Sequence, residues 1–407
     1  MITAQSIRRM RVAHGVALCA LFAAVACGGG GGGPLPTSTE QPMPVPSSSK
    51  FDTIVNQNIG GGWGVEVGIF RHGVAVYTHG YGFRDRGLPD NFFGTNYWGI
   101  VQPDVLLGTT RGAFAPDANT DFDLASVSKE FTAAAILLLA QDGKLSVTDP
   151  VSKYFPSLPD AGVLTLAELL HHSSGFVDYN NFGVYPDFST SYLAFMASGQ
   201  TNYQPIVDQL ATFPLDFAPG TAYEYSNTNY LLLGAIVAKV SGEPLGAFLT
   251  QRIFGPLGMT HTQQGYPAPG TMDLALGYGD HGSGPQRTWQ WNLQWLAGPG
   301  GLTSSVGDIE LWDRAVRAPG IFSQATLAQM FAPGRFPQSY GTYADGWFIS
   351  TLSGHLYIWH DGALGGFQTM NATFPNDDTD IIILTNDGSG IDPYFIVPRL
   401  FAALTSP

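Results

Sequence analysis

Cysteine, charge and long apolar runs are all scarce in this chain of 407 residues. Only two cysteines occur, Cys19 and Cys27, and both precede the globular sequence. The folded part therefore has no thiol for a disulfide, a thiolate metal site or a cysteine nucleophile. Charged residues make up 12%, with 18 Lys and Arg against 32 Asp and Glu, for a formal net charge of −14. Nucleic-acid binding runs on clustered basic residues, so this acidic chain with no basic stripe is not expected to bind nucleic acid. Beyond Leu145 no apolar run reaches the roughly 20 residues that a membrane helix needs. There is no G-x-S-x-G elbow of the lipase type. There is no H-E-x-x-H zinc signature either. The adjacent His171 and His172 sit at a helix end, where hydrogen bonding within the fold is the expected role. The glycine run Gly28–Gly33 follows no strand and opens no helix, so it reads as linker. No metal and no cofactor are expected.

The N-terminus has the parts of a targeting segment. Arg8, Arg9 and Arg11 precede the apolar run "VALCALFAAVA" (Val16–Ala26). That run is too short to span a bilayer and fits a signal-peptide core, assigned to residues 1–26. Small residues directly before Cys27 resemble the lipobox of bacterial lipoproteins, with Ala24 where leucine is commoner. Cys27 is then the lipidation site. Residues 27–50, rich in Gly, Pro, Ser and Thr, are a flexible tether to the membrane. The expected location is the bacterial cell envelope.

A globular sequence runs from 51 to 407. Apolar residues alternate on both sides of His72-Gly73, which predicts a hairpin turning there. Leu88–Asn119 reads as a surface excursion, with four aromatics between Phe92 and Trp98. "FTAAAILLLA" predicts a helix stopped by Gly143. "VLTLAELLHHSSG" predicts a second, opened by a capping box of Thr165 and Glu168. A third spans roughly Thr228–Val240 and ends at Gly242; a fourth follows Ser305 as cap. Strands are expected at "HLYIWHDG", "GFQTMNATFP" and "TDIIILTND", then a last helix interrupted by Pro398. Strands, then helices, then strands predict an α+β fold. Its antiparallel sheet is built from both chain ends and flanked by helices, with a mainly helical middle roughly within 145–340.

Three short patterns carry chemistry. In "SVSK", Ser126 and Lys129 lie three apart, on one face of a helix start. Free N–H groups and the helix dipole there favour an alkoxide and disfavour an ammonium. A lysine that releases its proton easily is the base a serine needs. The plainer reading is a capping serine followed by a snorkelling lysine, and Ser47 and Lys50 repeat the spacing in the tether. In "YSN", Tyr225 and Asn227 are two apart before a helix, so an extended backbone points both to one side. In "WHDGALGG", His360 and Gly362 share a strand face, with the glycine expected to leave substrate room against the backbone.

In this order, on helix, loop and strand, these patterns resemble the serine β-lactamase and penicillin-binding-protein superfamily. The resemblance is nearest its branch of class C β-lactamases, D-Ala-D-Ala peptidases and related esterases. Supporting phrases are "LAELLHHSSG", "NYLLLGAIVAKVSGEPLGAFL", "IFGPLGMTHT", "GLTSSVGDIELW" and "DIIILTND". The resemblance implies a β-lactamase-like fold and a small-molecule or peptide substrate, an ester, D-amino acid peptide or other amide. It implies Ser126 as acylated nucleophile, with Lys129 and Tyr225 moving protons and Asn227 orienting substrate and lysine. His360 and Gly362 would line the substrate, and the N–H groups of Ser126 and Ala363 would form the oxyanion hole. The third motif departs from the family by reading His-Asp-Gly, where lysine and a hydroxyl residue are common. A neutral histidine and Asp361 hold a substrate carboxylate poorly, which predicts weak β-lactam hydrolysis. The rival from another class is a non-catalytic lipoprotein of the same fold, used for binding or scaffolding.

Overall fold

His72 and Gly73 both take positive φ, 52° and 69°. Such a two-residue turn matches the twist of paired strands. It joins β1 (Val65–Arg71) to β2 (Val74–Tyr81). A computed structural model describes this turn and the rest of residues 48–59, 63–85, 114–181, 203–267, 273–280, 285–288, 296–388 and 390–405. The signal segment, Cys27, nearly all of the tether and the Phe92–Trp98 aromatics lie outside the described residues. Ser48–Lys50 do not belong to the tether. They open helix α1 (Ser48–Asn56), which buries Phe51 and Val55 completely, and Lys50 Nζ donates to Ala403 O at 3.2 Å.

The helix α2 (Ser128–Gln141) buries every residue from Ser128 to Leu139. Buried all round, it is a core helix rather than an amphipathic surface one. It ends at Gly143, φ 67°. Against it packs α3 (Asn227–Ser241), buried from Thr228 to Val237 and closed by the left-handed Gly242. Between them in sequence, Leu166–Leu170 forms a short helix with the expected capping box of Thr165 and Glu168. Ser305 accepts from Asp308 N and caps α4 (Val306–Arg317). Among the described residues no single helix is long and apolar enough to cross a membrane.

The chain then returns to the sheet through β3 (Pro337–Gln338), β4 (Gly341–Tyr343), β5 (Phe348–Leu352), β6 (His355–Leu364), β7 (Phe367–Phe374) and β8 (Thr379–Thr385). The eight strands lie in the order β2-β1-β8-β7-β6-β5-β4-β3, all neighbours antiparallel. The first and last long strands meet at β1–β8, so both chain ends do build one sheet. This is the α+β, β-lactamase-like architecture.

Side chains alternate between the faces of a strand. Thr369, Asn371 and Asp380 face inward, toward Leu124, Glu130, Asp313 and Arg317. Phe374 faces outward and stacks on Phe401 at 3.7 Å. Phe401 belongs to α5 (Val397–Thr405), which packs with α1. Pro398 does not interrupt this helix. It is the second residue, in the first turn, where a missing N–H costs nothing. Gly68 on β1 lets α4 sit close, since a Cβ there would fall 2.3 Å from Val306 Cγ1.

Candidate active site

The turn that carries Ser126 is built from the strand before it. Phe122 and Asp123 pair with Thr303 and Ser304, and Leu124 N donates to Leu302 O at 2.9 Å. Ala125 then takes φ +47°, unusual for a residue with a Cβ. The buried Asp123 holds it there, its Oδ1 accepting from Ala125 N at 2.8 Å. Burial pushes the Asp123 carboxyl up to about 7. Strained backbone of this kind clusters at functional sites and costs on the order of 1–3 kcal/mol. Ser126 is thus not the first residue of an α-helix. It lies on a 3-10 turn, Ala125–Val127, that runs into α2, and its side chain is half-buried at the surface of the site.

Lys129 is completely buried. Its Nζ lies 2.9 Å from Ser126 Oγ, 2.9 Å from Asn227 Oδ1 and 2.7 Å from Pro299 O. Burial lowers its pKa to about 7, against the opposing pull of Asp178 and Asp361. The Tyr225 ring centroid lies 5.0 Å from the amine, and its phenol interacts with the Ser126 side chain. Burial raises Tyr225 well above the ordinary phenol value, so the hydroxyl keeps its proton at neutral pH. Asn227 opens α3, with Ser226 extended at the cap (φ −136°, ψ 121°). The hydroxyl, amine, phenol and amide from two distant segments therefore meet.

The strand residues differ from expectation. His360 does not reach out to substrate: it is 1% exposed. Its Nδ1 lies 2.6 Å from Asp361 O, an acceptor only, so that nitrogen carries the proton. Nε2 then accepts from Tyr343 OH at 2.9 Å. Burial, with Lys129 nearby, lowers His360 to about 3, so it stays neutral. It backs Tyr225, ring centroids 6.3 Å apart, and is a packing partner of the site. Gly362 shares its face but leaves no room for substrate. A Cβ there would fall 2.3 Å from Leu124 O, 2.4 Å from Thr369 Oγ1 and 3.1 Å from Ala125 Cβ. The missing side chain lets β6 press directly on the serine turn. Ala363 is exposed, opposite Gln368 on β7.

Several contributors carried no local signal. His172, φ 54° and fully buried, accepts at Nδ1 from Ser226 N at 3.2 Å and packs 4.3 Å from the Tyr225 ring. Burial drives its pKa well down, so it is neutral. His171 pairs with Asp345 at 2.9 Å. Both histidines of the pair thus serve the fold. Asp178 accepts from Asn227 Nδ2 at 3.1 Å. The Pro299 carbonyl is backbone, so no residue type could have announced it. Asp178, in "SSGFVDY", was visible as a carboxylate after a Ser-Ser-Gly turn, but not as a partner of Asn227.

A family model described as Beta-lactamase matches residues 51–400. The chain belongs to the beta-lactamase family. Among curated relatives, PbpX of Bacillus subtilis (strain 168), provisionally named a penicillin-binding protein, is 30% identical over 325 residues, 78% of this chain and 69% of PbpX. Protein flp of Staphylococcus aureus (strain NCTC 8325 / PS 47) is 27% identical over 361 residues, covering 86% of this chain but only 65% of flp. Among solved structures, the octameric penicillin-binding protein homologue of Pyrococcus abyssi superposes with TM-score 0.71 at 22% identity, over 88% of this chain and 77% of that one. The D-amino acid amidase of Ochrobactrum anthropi SV3 gives TM-score 0.69 at 24% identity, over 88% and 96%. These likenesses establish the beta-lactamase fold and the penicillin-binding-protein-like serine hydrolase superfamily.

Proposed function

We propose that this beta-lactamase family chain is a serine hydrolase that works through a covalent acyl-enzyme on Ser126. The observation that carries the reading is the surroundings of Lys129 Nζ. Two acceptors, Asn227 Oδ1 and Pro299 O, are fixed within 2.9 Å of it and have no proton to give. A neutral amine donates its two protons to them, which leaves its lone pair for Ser126 at 2.9 Å. A pKa lowered to about 7 makes that neutral form available at ordinary pH.

The steps follow from this placement. Lys129 takes the Ser126 proton as Oγ bonds to the substrate carbonyl carbon. The oxyanion is assigned to the N–H groups of Ser126 and Ala363, a reading supported by the close approach of Gly362 to the serine turn. Removing one such donor from an acyl-transfer site typically costs about 3–4 kcal/mol. The C–N or C–O bond then breaks, and the leaving group takes a proton through the Tyr225 hydroxyl. Water attacks the resulting ester and frees Ser126.

The substrate is an ester, a D-amino acid peptide or another amide. β6 offers no cation for a substrate carboxylate, since His360 is buried and neutral and Asp361 is exposed beside it. Asp361 acts electrostatically on both Lys129 and Tyr225. Penicillins, which carry a carboxylate, are therefore poor substrates. The amidase among the structural neighbours, complexed with phenylalanine amide, supports a small amide as substrate. We also propose export and lipidation at Cys27, tested by whether Cys27→Ser releases the protein from membranes.

The deciding experiment is labelling with a fluorophosphonate probe, followed by a panel of short-chain esters, D-Ala-D-Ala peptides and a chromogenic cephalosporin. Labelling abolished by Ser126→Ala supports acyl transfer. No labelling by any acylating reagent favours the non-catalytic, binding lipoprotein.

A further inference from the structure

An amide side chain such as Asn227 can be turned either way, and only one orientation suits a lysine base. With its oxygen toward Nζ it accepts a proton and leaves the amine lone pair for Ser126. With its NH2 toward Nζ it would compete for that lone pair. Lys129 cannot decide the matter, since a neutral amine both donates and accepts.

Asp178 can decide it. Its Oδ2 lies 3.1 Å and its Oδ1 3.5 Å from Asn227 Nδ2. Burial raises the Asp178 carboxyl, against the opposing pull of the surrounding N–H groups and of Lys129; ionised, it only accepts, so the NH2 then faces Asp178 and the oxygen faces Lys129. Asp178 is itself held from several sides. Oδ1 accepts from Asn180 N at 2.9 Å, and the backbone N–H of Asn227 at the start of α3 also favours the charged carboxylate. Its neighbours are stitched to the same helix start: Thr228 Oγ1 donates to Val177 O at 2.6 Å, and Tyr179 N donates to Thr228 Oγ1 at 3.1 Å.

We propose that Asp178 is a positioning residue, which fixes the Asn227 amide with its oxygen toward Lys129 and places a negative charge beside the amine. Its catalytic consequence rests on the acyl-transfer reading above; its effect on Lys129 does not. The other charged and titratable groups around Lys129 are Asp361, Tyr225, Tyr230, His172 and His360. Of these only Asp361 adds negative charge that favours the ammonium.

The test compares wild type with Asp178→Asn, which keeps size and one acceptor while removing the charge. Two readouts are taken. One is kcat/KM against pH on a reactive ester. The other is the Lys129 titration by NMR of 13Cε-lysine protein, practicable because the chain has only five lysines. Asp178→Asn is expected to lower kcat by about tenfold to a hundredfold, the size of a misplaced catalytic group. It should also move the acidic limb and the Lys129 titration to lower pH, since an ammonium that loses its anion releases its proton sooner. Asp178→Glu should restore the titration but not the full rate. In an Asn227→Ala background, Asp178→Asn should cost less than about threefold more, because two parts of one device are not additive. An unmoved titration in Asp178→Asn overturns the proposal. So does a full additional loss in the Asn227→Ala background, or a fall in Tm alone. If wild type neither turns over esters nor labels at Ser126, the hydrolase reading fails, and the Lys129 titration still decides whether Asp178 acts on the amine.

Discussion

Lys129 and Glu130 are neighbours on one helix, both completely buried, and they face opposite ways. Lys129 turns to the surface of the site, where Ser126, Asn227 and Pro299 surround its amine. Glu130 turns to the sheet, where its Oε2 accepts from Trp312 Nε1 at 2.8 Å and from Asn371 Nδ2 at 3.1 Å. Burial disfavours the charge of both, lowering the lysine to about 7 and raising the glutamic acid well above its usual range. The difference lies in what each borders. The amine touches a half-exposed hydroxyl, so its lost proton leaves a lone pair beside that hydroxyl. The carboxyl touches only core, so its proton belongs to a packing network that continues through Asn371 to Asp313 and Asp380.

The largest break in this comparison is Lys129→Met. The swap keeps length and removes the base, so turnover should fall by at least about a thousandfold, worth roughly 4 kcal/mol of barrier. Stability should hold or rise, because a buried amine is exchanged for an apolar chain. Ester kinetics with a parallel thermal melt check both, and near-normal turnover would take lysine out of the reaction. Next is Glu130→Ala, which orphans two buried donors and opens a void. It should cost about 2–4 kcal/mol of stability in urea unfolding while kcat/KM stays within about threefold. A thousandfold loss of rate without loss of stability would erase the distinction between the two faces.

The pH dependence separates them further, because the signs are opposite. Lys129 has a folded pKa below its unfolded one, so above pH 7 the unfolded chain binds more protons. Its burial penalty, up to about 5 kcal/mol at neutral pH and below, is therefore relieved as pH rises from about 7 to 10.5. Glu130, which burial raises well above its usual range, works the other way: its contribution is full below about pH 4 and lost as pH climbs through its raised pKa. Urea titrations of wild type and Lys129→Met across pH 7–10 should show the stability gap narrowing with pH. A constant gap would mean that the lysine is charged when folded. The smallest effect expected is from His360→Gln, whose parent stays neutral down to about pH 3. It should change kcat/KM by only a few-fold and leave the acidic limb near pH 7, read from the pH–rate profile on an ester.

Much of this was legible because it is local. A spacing of three puts Ser126 and Lys129 on one face whatever surrounds them, and Thr165 with Glu168 closes its capping box within four residues. Alternating apolar residues around His72-Gly73 are enough to write the hairpin. The readings that changed depended on neighbours far away in sequence. His360 looked available until Tyr343 and Tyr225 closed over it. Gly362 looked like substrate room until Leu124 and Thr369 occupied the space. Pro398 looked like a break until the helix began one residue before it.

By itself the sequence determined the order of elements, the apolar helices and which residue types could do acyl-transfer chemistry, since periodicity and spacing act over one or two turns. Only the tertiary structure decided which polar atoms face each other. Burial shifts Lys129, Asp178 aims the Asn227 amide and the Pro299 carbonyl takes the second amine proton, because desolvation and hydrogen-bond direction arise between segments that meet only when the chain folds.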